Sequence, residues 1–172
     1  MSQTFLIADL HLSHRKILEF EKDFRPYKDI DEHDLALKNN WNSVVGESDI
    51  VYVLGDVAFS RPALNSLGTF KGKKILVGGN HDKFSTRDYL YVFDNIYGAC
   101  RIGDIILTHI PIHPEEMRWV GGNIHGHRHS KANLPGKYLC VSCEHIDMTP
   151  ITLDECKLRM EINSHEANRR NS

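Results

Sequence analysis

Asp9, His11, Asp56, Asn80, His109, His127 and His129 are the residues of this chain best suited to hold a cation. They fall in five short segments: Asp9-Leu10-His11, Gly55-Asp56, Gly79-Asn80-His81-Asp82, His109, and Gly126-His127-Arg128-His129. Two carboxylates, an amide oxygen and several imidazoles form a mixed oxygen and nitrogen donor set that suits a pair of divalent transition metals. Asp9 and His11 are two residues apart, so in an extended segment they point the same way, and His127 and His129 repeat that spacing. Asp56 stands alone in the middle of the series and is the natural bridge between two ions. Such a centre keeps a net positive charge, attracts a phosphate anion and lowers the pKa of bound water enough to make a nucleophile at neutral pH. The expected chemistry is hydrolysis of a phosphate ester. A lone strand-end Asp is more often a helix cap, and a lone His more often a hydrogen-bonded core residue. Five such segments in register, ending in His-x-His, are hard to obtain by accident.

Something must bring these segments together. Thr4–Asp9, Asp49–Asp56, Lys74–Gly78 and Asp104–His109 are short, dense apolar runs, which read as strands buried on both faces. Between them lie helical patterns at 14–22, at 31–45 with Asp31 as N-cap and Leu35, Leu37, Trp41, Val44 and Val45 as its apolar set, and at 62–70 and 85–93, the last capped by Ser85. Beyond residue 95 the pattern turns to strands at Asn95–Ile102, Asp104–His109, Asn123–His125 and Lys137–Cys143, then a last helix at Thr152–Glu161. Alternating strands and helices predict an α/β architecture. In open α/β sheets ligands collect at the carboxyl ends of strands, where Asp9, Asp56, Asn80 and His109 all fall. The expected organisation is one domain over 1–164 and a C-terminal tail over 165–172, frayed from Ala167 onward.

The 172 residues are 41% hydrophobic and 26% charged, enough for a core that needs no structural metal. A net charge of −2 argues against strong non-specific duplex binding but leaves nucleotides and nucleic-acid ends open as substrates. No apolar stretch approaches the ~20 residues of a membrane span, and Met1-Ser2-Gln3 leads directly into a strand without a signal-like segment. These features predict a soluble, cytoplasmic protein with no membrane partner, and say nothing about oligomeric state. Cys140 and Cys143 form a CxxC without a second pair; as part of a strand their thiols would face opposite ways, so they read as small buried residues in a reducing compartment.

The ordered segments resemble the calcineurin-like metallophosphoesterase superfamily, whose pattern is DxH, GD, GNH(D/E), H, then GHxH. The resemblance covers residues 9–129. It is closer to the small bacterial and phage phosphoesterases of that superfamily, which open on a DxHxxH segment (here Asp9 to His14) and continue with stretches like Asn40–Val45 and Leu54–Phe59. It implies an α+β-type fold, a four-layer αββα sandwich of two mixed sheets flanked by helices, with Asp9 and His129 meeting at one edge. It also implies one metal held by Asp9, His11, Asp56 and His129, and a second by Asp56, Asn80, His109 and His127. Mn²⁺ is favoured for both, with Fe, Zn²⁺ or Ni²⁺ as alternatives. The implied nucleophile is a hydroxide bridging the ions, with His81 donating to the phosphate or protonating the leaving group and Asp82 orienting His81 or its loop. Phosphodiesters such as cyclic nucleotides or nucleic-acid ends are slightly favoured as substrates. The alternatives are a monoester of a nucleotide or small metabolite, or a non-catalytic metal-binding module. Gly55-Asp-Val-Ala-Phe-Ser60 lacks the Asp-Arg pair of the protein-phosphatase branch (GDxVDRG), and Asp82 stands where that branch has Glu. Both departures argue against phosphoproteins.

Substrate contacts are expected from His14 and Arg15, next to the first motif, and from His113 in the Pro-rich loop after His109. Lys16, Arg25, Arg61, Arg118 and Arg128 are further options for holding phosphate, though the alternation between His127 and His129 points Arg128 away. His125 reads as a supporting or packing residue, His33 and His165 as solvated. Trp119 and Tyr27 are candidates for stacking a base or packing on the core.

Overall fold

The computed structural model describes residues 2–170. Its strands are β1 (Thr4–Ile7), β2 (Ile50–Val53), β3 (Lys73–Val77), β4 (Asn95–Tyr97), β5 (Cys100–Ile102), β6 (Ile105–Leu107), β7 (Gly122–His125), β8 (Tyr138–Cys140) and β9 (Ile151–Thr152). The helices are α1 (Ile17–Phe20), α2 (Ile30–Val44), α3 (Arg61–Ser66), α4 (Thr86–Tyr89) and α5 (Leu153–Arg170). The strands form two mixed sheets, in the orders β4-β3-β2-β1-β9 and β5-β6-β7-β8. Strands β1 to β4 run parallel, with β9 antiparallel on the β1 edge; β6, β7 and β8 run parallel, with β5 antiparallel to β6. With its helices this is an α+β sandwich. No helix among the described residues is long and apolar enough to cross a membrane.

Parallel strands are covered on both faces, and here they are. Leu6, Ile7, Val51, Val53, Leu76, Val77, Leu107 and Ile124 are almost fully buried. Helix α2 starts at Asp29, not Asp31: the Asp29 carboxylate accepts from the Glu32 N–H. Its buried stripe is Ile30, His33, Leu37 and Trp41, at helical spacing, whereas Leu35 and Val44 are exposed. Ser85 does cap α4, through a reciprocal capping box with Asp88.

Several boundaries differ from the sequence expectation. The run 95–102 is not one strand: it breaks at Gly98–Ala99, so that β4 ends the first sheet and β5 begins the second. The patterns at 14–22 and 85–93 shrink to the single turns α1 and α4. Strand β8 stops at Cys140, and Cys143 opens a 3-10 turn; both thiols are buried and unpaired. Helix α5 does not stop at Glu161 but continues through residues 165–170, expected to be tail, to Arg170. Asn171 and Ser172 lie outside the described residues.

Two backbone joints bring the sheets to one edge. Past β1, the Ala8 N–H donates to Val141 O and Ala8 O accepts from the Cys143 N–H, so the end of the first sheet is stitched to the chain leaving β8. Past β6, His109 O accepts from the Gly126 N–H. The expected ligands Asp9, His109 and His127 lie at or next to these joints.

Candidate metal centre

The loops after β1 and β2 run side by side as a continuation of their parallel pairing. Asp9, His11 and Leu12 donate backbone N–H groups to Gly55, Asp56 and Val57 carbonyls at 3.0 Å. In this stretch the backbone is forced. Asp9, His11, Asp56, His127 and His129 all have φ between 48° and 68°, the left-handed region that non-glycine residues rarely enter. Each such residue costs about 1–3 kcal/mol and persists only where its surroundings hold it. Five of the seven expected ligands carry this strain. Glycine is required beside them: a Cβ on Gly79 would collide with the Asp56 carboxylate, and one on Gly126 would lie 2.7 Å from Asp9 Oδ2.

Each carboxylate is anchored through one oxygen and offers the other. Asp9 Oδ2 accepts from Ser142 Oγ at 2.6 Å and from the His127 N–H at 2.8 Å. Asp9 Oδ1 is buried without a partner and lies 3.9 Å from His11 Nε2 and 3.8 Å from His129 Nε2. Asp56 Oδ1 accepts from the His81 N–H, leaving Oδ2 between His11 Nε2 at 3.7 Å and His109 Nε2 at 3.5 Å. Asp56 Oδ2 thus lies within 4 Å of an imidazole on either side.

The imidazoles are oriented the same way. His109 Nδ1–H donates to Leu54 O at 2.7 Å and His129 Nδ1–H to Glu144 Oε1 at 3.1 Å, which leaves both Nε2 atoms as lone pairs turned inward. His109 Nε2 faces Asn80 Oδ1 at 2.8 Å, so two acceptors meet. His11 Nε2 is buried and unpartnered. Lone pairs in contact, with no proton to share, are stabilised by a cation between them. Donors gathered 3.5–3.9 Å apart are spaced so that a cation could be held among them. Asp9, His11 and His129 form one group able to hold a metal ion, and Asp9, Asp56 and His109 a second. His127 is exposed, with its ring 5.1 Å from that of His109, and is placed beside the second group but not within it.

Burial and neighbouring charges set the protonation of these groups. Burial pushes Asp9 above the usual carboxylate range despite His129 and His109 nearby. Burial pulls His11 far below the usual imidazole range, so it stays neutral, as a ligand must. His129 goes the other way: burial lowers it, but its bond to Glu144 and the Asp9 charge prevail and raise it.

The chain shares its length with other proteins. It is 31% identical to the uncharacterized protein MJ1445 of Methanocaldococcus jannaschii, over 90% of this chain and 89% of that protein. It is 32% identical to the Gene 66 protein of Mycobacterium phage L5 (76% of this chain, 79% of that protein) and 30% identical to its namesake in phage D29 (76% and 80%). The chain belongs to this family. No protein-family model matches it. A solved structure, the protein of unknown function AQ665 from Aquifex aeolicus, superposes with a TM-score of 0.73 at 26% identity, over 90% of this chain and 97% of that one.

In this family member, residues that no motif announced hold the centre in place. Arg25 is completely buried. Its guanidinium donates to Asp9 O at 2.7 Å, Leu10 O at 3.2 Å and Glu144 Oε1 at 2.8 Å, and to His33 Nε2 at 3.0 Å. It is not a phosphate ligand. His33, expected in solvent, is fully buried and completes this network through Asp34. Glu144 joins Arg25 to His129. No local pattern announces this, because Arg25, His33 and Glu144 meet across more than a hundred residues of chain.

The remaining candidates separate clearly. The His81 ring is exposed, 6.0 Å from that of His11. Asp82 does not turn to it. Instead, Asp82 accepts from the N–H groups of Asp56, Val57 and Gly79 and from Tyr89 Oη, so it pins the second and third loops together. His14 Nδ1 sits 2.9 Å from His11 Nδ1 and lines the groove beside the centre. Arg15 and His113 do not line that groove; His113 caps the 3-10 turn Pro114–Trp119. Arg61 pairs with Asp88, and Arg118 lies over the exposed Trp119. His125 is buried, with Nδ1–H donating to Gly126 O, and Tyr27 packs against the core.

Proposed function

We propose that this protein is a phosphoesterase dependent on two divalent metal ions, of the calcineurin-like metallophosphoesterase kind, acting in the cytoplasm. The observation that carries the reading is the convergence of Asp9, His11, Asp56, Asn80, His109 and His129 on one spot, most of them anchored from behind, with Asp9 Oδ1 and His11 Nε2 buried there without a partner. Asp9, His11, Asp56 and His129 would hold one ion, and Asp56, Asn80, His109 and His127 the other. When bound, two such ions supply positive charge to a phosphate and a water acidic enough to attack at neutral pH. Ser142 and the His127 N–H fix Asp9, while the His81 N–H fixes Asp56. The exposed imidazole of His81, at the edge of the ligand cluster, is free to bring a proton to a departing alkoxide. A diester, whose leaving group needs that help, is favoured over a monoester.

The test is reconstitution of stripped protein with Mn²⁺. About two ions should bind per chain, and bis(p-nitrophenyl) phosphate should be hydrolysed in proportion to occupancy. Asp56→Asn should lose the pair, whereas Asp9→Asn should keep one ion. A single ion at saturation, or two ions without hydrolysis of any ester tried, would refute the reading.

A further inference from the structure

A groove of about 370 Å³ opens from the metal centre, sharing the imidazoles of His11, His81, His127 and His129. Away from the ligands its wall changes character. The His14 and Phe59 rings stack 3.8 Å apart at their centroids and within 6° of parallel, and the Phe20 ring stands 6.3 Å from His14, nearly edge-on. Phe59 is 39% exposed and Phe20 67% exposed. Scattered surface apolar residues need no explanation. Two aromatic rings gathered with Ile17 in a groove that reaches the ligand cluster do. Phe20, Phe59 and Ile17 offer no hydrogen-bonding group, so this part of the wall favours a flat apolar face over a polyol. Flat rings stack on such a surface with offset or edge-on geometry. Arg128, Lys131 and the carboxylate of Glu21 line the same groove; the cations outnumber the anion, which suits a ligand carrying phosphate as well as a ring. The volume lies at the lower end of the range for small-ligand clefts, about 300–1,000 Å³, which fits one nucleoside and not a folded partner.

We propose that this groove is a nucleobase site, with Phe20 and the Phe59–His14 stack holding the base of a nucleotidyl ester whose phosphate lies at the metals. The assignment rests on the phosphoesterase reading. Two esters sharing one leaving group test it: thymidine 5′-(p-nitrophenyl phosphate) and methyl p-nitrophenyl phosphate, on Mn²⁺-loaded protein. The wild type should prefer the nucleoside ester in kcat/KM, mainly through KM. Phe20→Ala and Phe59→Leu should each lower that preference about tenfold, the order expected for one lost base–aromatic stack. Phe20→Trp should retain it. In parallel, saturation-transfer NMR on metal-free protein should show magnetisation passing to the base protons of AMP, and weakening in Phe20→Ala. No preference in the wild type, or the same preference in all variants, would overturn the base site while leaving the esterase reading intact. Transfer to AMP without hydrolysis of either ester would instead retain the base site and remove the esterase.

Discussion

Glu144 carries two loads at once. It receives the Nδ1 proton of His129, which keeps Nε2 bare for a cation, and it receives the Arg25 guanidinium, which holds the left-handed Asp9 turn through its carbonyl. Burial opposes its charge, yet His129 and Arg25 hold its carboxyl below the usual range, so it stays ionised. Glu144→Gln keeps the shape and one acceptor but removes the charge. Metal affinity should fall about 10–100-fold, the usual effect of removing a carboxylate behind a metal-bound imidazole. Titration should place the loss on the ion held by His129, with the other unchanged; an equal loss on both would assign Glu144 to general stability. His81 is the opposite case, exposed and free of structural duty in its ring. His81→Ala should keep both metals and lose about 10²–10⁴-fold in rate for an alkyl or nucleoside leaving group. For nitrophenolate, which departs unaided, the loss should be small. An equal defect across leaving groups would make His81 a phosphate-binding residue.

At the scale of elements, one carboxylate ties together two of the strand-end loops that build the site. Asp82 takes N–H groups from the loops after β2 and β3 and the Tyr89 hydroxyl from α4. Asp82→Asn turns one acceptor oxygen into a donor facing donors. Each buried N–H left unpaired costs about 1–3 kcal/mol. With about 2–4 °C per kcal/mol in a chain of this size, Tm should drop by several degrees and the second metal should weaken. An unchanged Tm would show that the loops hold without Asp82. The positions of these loops were legible in the sequence, because the donor residues follow dense apolar runs and parallel strands deliver their ends to one edge. The helices were less so. Phe20 and Leu35 fall in helical apolar patterns yet are exposed, while α1 is cut to one turn and α2 buries His33 instead of Leu35. The break between β4 and β5 was invisible for a similar reason: which sheet a three-residue strand joins depends on its partners and not on its own composition.

For the whole molecule, the buried imidazoles set how the fold responds to acid. His33 is locked neutral, its Nδ1–H donating to Asp34 and its Nε2 accepting from Arg25. Burial holds it below the ordinary value of 6.5, with the Asp34 hydrogen bond working against that effect. Above 6.5 the imidazole is neutral whether the chain is folded or not, so nothing changes with pH. Below 6.5 the unfolded chain takes up a proton that the native site refuses, so stability falls as pH falls through this value toward the depressed native one. His11, His14 and His127 are lowered in the same direction, chiefly by burial, and add to the loss. His129 opposes it: its value is raised, so its contribution is present in acid and fades as pH rises. Each full proton of difference changes stability by about 1.4 kcal/mol per pH unit. Metal-free protein should therefore show a midpoint of urea unfolding that declines from pH 7.5 to 5. His33→Gln keeps a donor and an acceptor in the network without a titrating group, so its decline should be shallower by as much as one proton's worth. Equal slopes in the two proteins would mean that His33 takes up its proton as readily folded as unfolded, and that its Nε2 does not accept from Arg25.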